Sequence, residues 1–204
     1  MDYLTTPLVE WAVASQGLEP DDSGDGYIVR PWPEGVLLGV VDGIGHGHEA
    51  ATAASRAIRL LEGCATGHPV AALRACHQGL AGTRGVVLTL AWLDGAHDCM
   101  TWLAVGNVQS VLLRGNGDAG PPDETLLGQG GVVGRRLPLL RASMVALARG
   151  DLLVLATDGI HPDFARDIGR HDRPRHIADH LLERHNIGTD DALVLAVRYQ
   201  GPFS

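Results

Sequence analysis

The chain has 204 residues, 45% of them apolar, enough for one domain (residues 1–204) with a substantial core, and its 4% aromatic content leaves that core to Leu, Val, Ala and Ile. A net charge of −8 argues against a broad nucleic-acid or anionic-membrane surface and suits local cation binding. Cys64, Cys76 and Cys99 are an odd number with no C-x-x-C pair, so no disulfide framework or zinc knuckle is indicated; with an acidic start that has no basic leader, they point to the cytoplasm.

Residues 8–15, 26–30 and 36–41 are short apolar runs between Pro, Gly and Asp clusters and are predicted as strands. From Glu49 to Glu62, Ala50, Ala54, Ala57, Ile58 and Leu61 recur at helical spacing, with Gly63 as a stop. Pro69 opens a second helix whose buried face carries Val70, Leu73 and Leu80. Residues 85–93, 98–105 and 108–113 read as an antiparallel meander turned at Asp94-Gly95 and Gly106-Asn107. Two more strands, 143–148 and 151–156, are joined at Arg149-Gly150. A third helix spans 175–184 and a last strand 192–199, with 114–124 and 167–175 as surface loops. This order is not a regular βαβ pattern. It suits an α+β fold of packed sheets covered by helices.

The acidic residues carry the chemistry. Asp42 in VVDGIGHG and Asp158 in LATDGI each leave the end of an apolar run where glycine lets the chain turn. Asp25 lies in SGDGY, and Asp190-Asp191 precede ALVLAV. A single Asp-Gly reads readily as a turn. Several carboxylates beside sheet cores, with no lysine near them, instead suit hard divalent ions held by oxygen. Other motifs are weaker. RGNGDAG lacks the Lys-Ser/Thr of a nucleotide loop, and the His46/His48 and His176/His180 spacings have no third ligand, so these histidines are expected to face solvent.

VDGIGHGHEAA, AVGNVQSVLL, GDLLVLATDGI and DDALVLAVRY, in this order, make the chain similar to the PPM (PP2C-like) metal-dependent protein phosphatases. More narrowly, they resemble the bacterial SpoIIE/RsbX branch, and the length matches its stand-alone stressosome phosphatases. The resemblance implies an αββα sandwich of two antiparallel sheets with two Mn²⁺ or Mg²⁺ ions in a cleft at one end. Asp42 would bridge the ions and Gly43 offer its carbonyl. Asp158 and Asp190 would complete the first metal, with Asp191 the other choice at the pair, and Asp25 would hold water. A water between two cations loses its proton readily and attacks phosphorus in line.

The implied activity is hydrolysis of phosphoserine or phosphothreonine on a phosphorylated STAS-domain or stressosome partner, without nucleic acid or membrane. A non-catalytic phosphoprotein binder of the same fold and a small phosphate-ester hydrolase are the alternatives. Three positions depart from the pattern of relatives. Ile44 stands where many eukaryotic members have a histidine acid, Asn107 where other branches carry Asp, and Leu193 where a hydroxyl residue is common. The leaving-group acid is thus unassigned. His46 is a candidate for it or for orienting the following helix, and Arg135 and Arg136 are loop candidates for substrate contact.

Overall fold

Apolar runs bounded by glycine, proline or aspartate become strands in the computed structural model, which describes residues 3–5, 8–18, 22–117 and 121–201. One sheet has the order β1 (Tyr3–Thr5), β2 (Val9–Gln16), β11 (Ala192–Tyr199), β10 (Leu152–Ala156), β7 (Gln109–Leu113), β8 (Glu124–Leu126). The other has the order β3 (Asp25–Trp32), β4 (Gly35–Gly43), β5 (Val86–Asp94), β6 (Cys99–Val105), β9 (Ser143–Ala146). Every pairing between these strands is antiparallel.

The sheets face each other through a core that includes Trp11, Leu38, Val40, Trp102, Leu153 and Leu195. Helices α1 (His48–Glu62) and α2 (Pro69–Gly79) cover the outer face of the β3–β9 sheet. The inward stripe of α1 is Ala50, Ala53, Ala54, Ala57 and Leu61, small enough for close approach to β3 and β4. On the opposite outer face, α3 (Pro174–His185) buries Ile177, Ala178 and Leu181 against β2 and β11. The four layers are therefore helix, sheet, sheet, helix, the expected αββα sandwich.

Two expected hairpins are crossovers instead. β7 does not continue the β5–β6 meander; it pairs with β10 and β8 in the other sheet. Gly106-Asn107 is thus a passage between sheets, with Val108 buried in the inter-sheet core. Likewise β9 pairs with β6 while β10 pairs with β7 and β11, so Arg149-Gly150 lies on a second passage, behind buried Leu147. Turn chemistry reports that a chain reverses, not which partner it meets.

The 114–124 segment closes a β7–β8 hairpin, of which residues 118–120 lie outside the described ones. Its first residue, Arg114, is buried and bonds the Asp151 carboxylate at 2.9 Å. A 3-10 turn, Pro162–Asp167, leads into the expected 167–175 connection before α3. No helix among the described residues is long and apolar enough to cross a membrane.

Candidate metal centre

Asp42 closes β4, and Asp25 opens β3 directly opposite it in the strand register. β10 runs into Thr157 and Asp158, and Asp190-Asp191 lead into the neighbouring strand β11. The strand ends of both sheets therefore deliver their carboxylates to the same end of the sandwich. Asp42 is pushed up to about 8, first by burial and then by the charges of Asp25, Asp158, Asp190 and Asp191. Asp25 is pushed up to about 7, again chiefly by burial, with Asp191, Asp158 and Asp190 adding to it against the lowering effect of a Thr157 hydrogen bond.

Hydrogen bonds give these groups different duties. The Thr157 hydroxyl donates to Asp25 Oδ2 at 2.7 Å and accepts from Leu193 N at 2.9 Å, tying the β3 carboxylate to the opposite sheet. Asn107 Nδ2 donates to Asp158 Oδ2 at 2.7 Å. Asp191 is buried, and its two oxygens accept from Leu18 N at 2.7 Å and Gly24 N at 2.6 Å. Exposed Asp190 has one oxygen on Asp191 N and its other oxygen facing no donor among the described residues. Asp190 is thus the open carboxylate of the pair, and Asp191 secures the β2–β3 connection.

Gly43 follows Asp42 where a Cβ would lie 2.3 Å from the Ala50 carbonyl, so only glycine allows α1 to pack this close behind the site. Sequence reasoning missed Thr157 as an orienting group. Its signal was its place between the apolar β10 run and Asp158, indistinguishable there from an ordinary strand hydroxyl.

Thr157→Val is expected to remove the hydrogen bond that lowers the Asp25 pKa, moving the acid limb of the kcat/KM–pH profile to higher pH. It should also cost about 1 kcal/mol of stability. A pH–rate series and thermal melts check both.

His46 and His48 are exposed, and so are His176 and His180. The N-terminus of α1 is capped by Gly47 with no side-chain bond, so His46 does not cap the helix. Arg135 and Arg136 are exposed, and Arg135 Nε donates to Thr83 O at 3.3 Å.

None of the five clustered aspartates has a Lys, Arg or His ion-pair partner among the described residues. No three carboxylate, imidazole or thiol groups among those residues stand close enough to enclose an ion between them. A hard ion that keeps much of its water needs few direct carboxylates, so this open, oxygen-only set fits hydrated Mg²⁺ or Mn²⁺ and does not fit zinc.

The family model for stage II sporulation protein E (SpoIIE) matches residues 33–200. The chain belongs to the SpoIIE family. Among solved structures, this SpoIIE-family chain is similar to one described as "The bacterial stressosome: a modular system that has been adapted to control secondary messenger signaling". That match has 28% identity and a TM-score of 0.83, over 93% of this chain and 99% of the other. RsbX in complex with magnesium superposes with a TM-score of 0.86 at 17% identity, over 98% and 99% of the two chains. The PP2C phosphatase domain of SpoIIE from Bacillus subtilis follows at 0.78 and 23% identity, covering 96% of this chain and 64% of that one. No curated protein matches the chain significantly in sequence. The fold is that of the PP2C-like phosphatases, a family that uses divalent metals.

Proposed function

We propose that this protein is a cytoplasmic, metal-dependent serine/threonine phosphatase of one domain, acting on a phosphorylated STAS-domain or stressosome protein. The observation that carries the reading is the meeting of Asp25, Asp42, Asp158 and Asp190 from both sheets, with no ion-pair partner among the described residues to neutralise them. Burial of such charge is costly unless a cation answers it.

Asp42 and the Gly43 carbonyl would hold two Mg²⁺ or Mn²⁺ ions from one sheet, and Asp158 and Asp190 would hold the first from the other. Such ions lower the pKa of a shared water and offset charge on the phosphoryl group. Asn107 fixes the Asp158 carboxylate, and Asp25, held by Thr157, would accept a hydrogen bond from metal-held water. Asp191 keeps the Asp25 segment in place through Gly24. Ile44 has no proton to give the leaving group.

The test is phosphate release from p-nitrophenyl phosphate and from a phosphorylated STAS protein during Mn²⁺ titration, with EDTA as control. Activity on neither substrate overturns the reading, and activity on the ester alone favours a small-molecule hydrolase. In the same titration the melting temperature should rise with Mn²⁺. At a hundredfold excess over Kd the gain is about 2.7 kcal/mol, or roughly 5–10 °C for a chain this size.

A further inference from the structure

Every one of the 16 basic residues is arginine. Two of them meet beside the metal centre. The loop leaving Asp42 is pinned to the start of β5 by a hydrogen bond from Ile44 N to Gly85 O at 3.1 Å, which brings Arg84 against it. Gly45, at φ +92°, leaves the room: a Cβ there would stand 2.7 Å from Arg84 Nη1. Arg84 then pairs with Glu49 in the first turn of α1. Arg135 comes in from the 131–136 loop, its Nε bonded to the Thr83 carbonyl.

The result is a pocket of about 480 Å³ lined by His48, Glu49, Thr52, Thr83, Arg84 and Arg135, next to the DGIGHG loop. Its donors include two guanidiniums and the Thr52 hydroxyl, with a half-exposed Arg84 and a more exposed Glu49, while the Thr83 hydroxyl is spent on the Leu80 carbonyl. Resting on the phosphatase reading, we infer that this pocket is a substrate subsite for a carboxylate flanking the phosphorylated residue. Arg84 and Arg135 receive the acidic side chain, and Glu49 occupies Arg84 until the substrate displaces it. The site reads a charge other than the phosphate itself. It gives a protein whose net charge is −8 a local attraction for acidic phosphoproteins.

The test uses peptides in which a non-hydrolysable phosphonate replaces phosphoserine, flanked by two glutamates or by two alanines, with binding followed by fluorescence anisotropy in Mn²⁺. The wild-type chain should bind the glutamate peptide about five- to tenfold more tightly, since a half-exposed ion pair contributes up to about fivefold. Arg84→Ala and Arg135→Ala should each reduce the preference, and the double variant should erase it. Arg84→Lys should keep most of it.

Glu49→Gln should widen the preference about two- to threefold, a gain that loss of a merely structural ion pair would not produce. Equal binding of the two peptides by the wild type, or a preference surviving in the double variant, overturns the subsite. Hydrolysis of p-nitrophenyl phosphate by the wild type is measured in parallel. Its absence, together with no phosphate release from the phosphorylated STAS protein, would remove the phosphatase reading, while the anisotropy series would still decide the subsite.

Discussion

Asp42→Asn is expected to reduce phosphatase activity by roughly a thousandfold and, unusually for an active-site loss, to stabilise the metal-free protein at neutral pH. On the proposed reading, the first effect follows from removing the carboxylate that would hold both ions. The second follows from its pKa. In the folded chain the Asp42 carboxyl is raised from 3.8 to about 8, because burial and four neighbouring aspartates oppose its charge. A folded-state pKa above the unfolded one means that the folded state binds the extra proton.

The contribution of this group to stability is therefore full below about pH 4 and is lost as pH rises through about 8. Asp25, raised to about 7, adds a loss over the same direction. In EDTA the wild type should melt progressively lower between pH 5 and pH 8. Asp42→Asn should flatten that slope and melt higher at pH 8, by about 2 kcal/mol or roughly 5 °C. With saturating Mn²⁺ the ranking should reverse, because the ions answer the charge only in the wild type. Full activity in Asp42→Asn, or an unchanged pH slope, would remove Asp42 from the centre.

The second large effect separates the adjacent Asp190 and Asp191. Asp191→Ala is expected to destabilise by about 3–5 kcal/mol, because the Leu18 and Gly24 amides would each lose a short hydrogen bond in a buried place. The melting temperature should fall by roughly 10 °C, with any activity loss following the unfolding. Asp190→Asn should do the opposite: a melting temperature within a degree or two, and a large loss of activity with weaker Mn²⁺ dependence. Asp190 is exposed and supports little of the fold. An Asp191→Asn variant that melts like the wild type yet is inactive would exchange the two roles. Thermal melts and Mn²⁺ titrations of the same preparations give both answers.

Much of this site was legible because its chemistry is written in short, local patterns. Asp42, Gly43 and Asp158 stand where apolar runs stop, and glycine after an aspartate marks the turn that leaves a carboxylate at a strand end. The helices were legible for a similar reason. The alanine stripe of α1 and the Pro69 start of α2 depend on spacing within one segment.

Pairing was not legible. Gly106-Asn107 and Arg149-Gly150 have the composition of hairpin turns, yet each lies where the chain crosses from one sheet to the other. Whether β7 joins β6 or β10 depends on Val108 and Leu147 being buried between the sheets, a nonlocal energy that no window of sequence contains. The same limit hid Thr157. Its contact with Asp25 spans 132 positions, and only the packing of one sheet on the other brings them together.

By itself, then, the sequence determined which residues could form strands and helices, and which carboxylates would stand at strand ends. These follow from local periodicity and turn chemistry. Tertiary structure alone decided that those ends meet, that Asp191 holds backbone while Asp190 faces open space, and that Arg84 comes to the edge of the centre. Each of these depends on which strands share a sheet, because hydrogen bonds and burial between distant segments, not local preference, select among the pairings a chain could adopt.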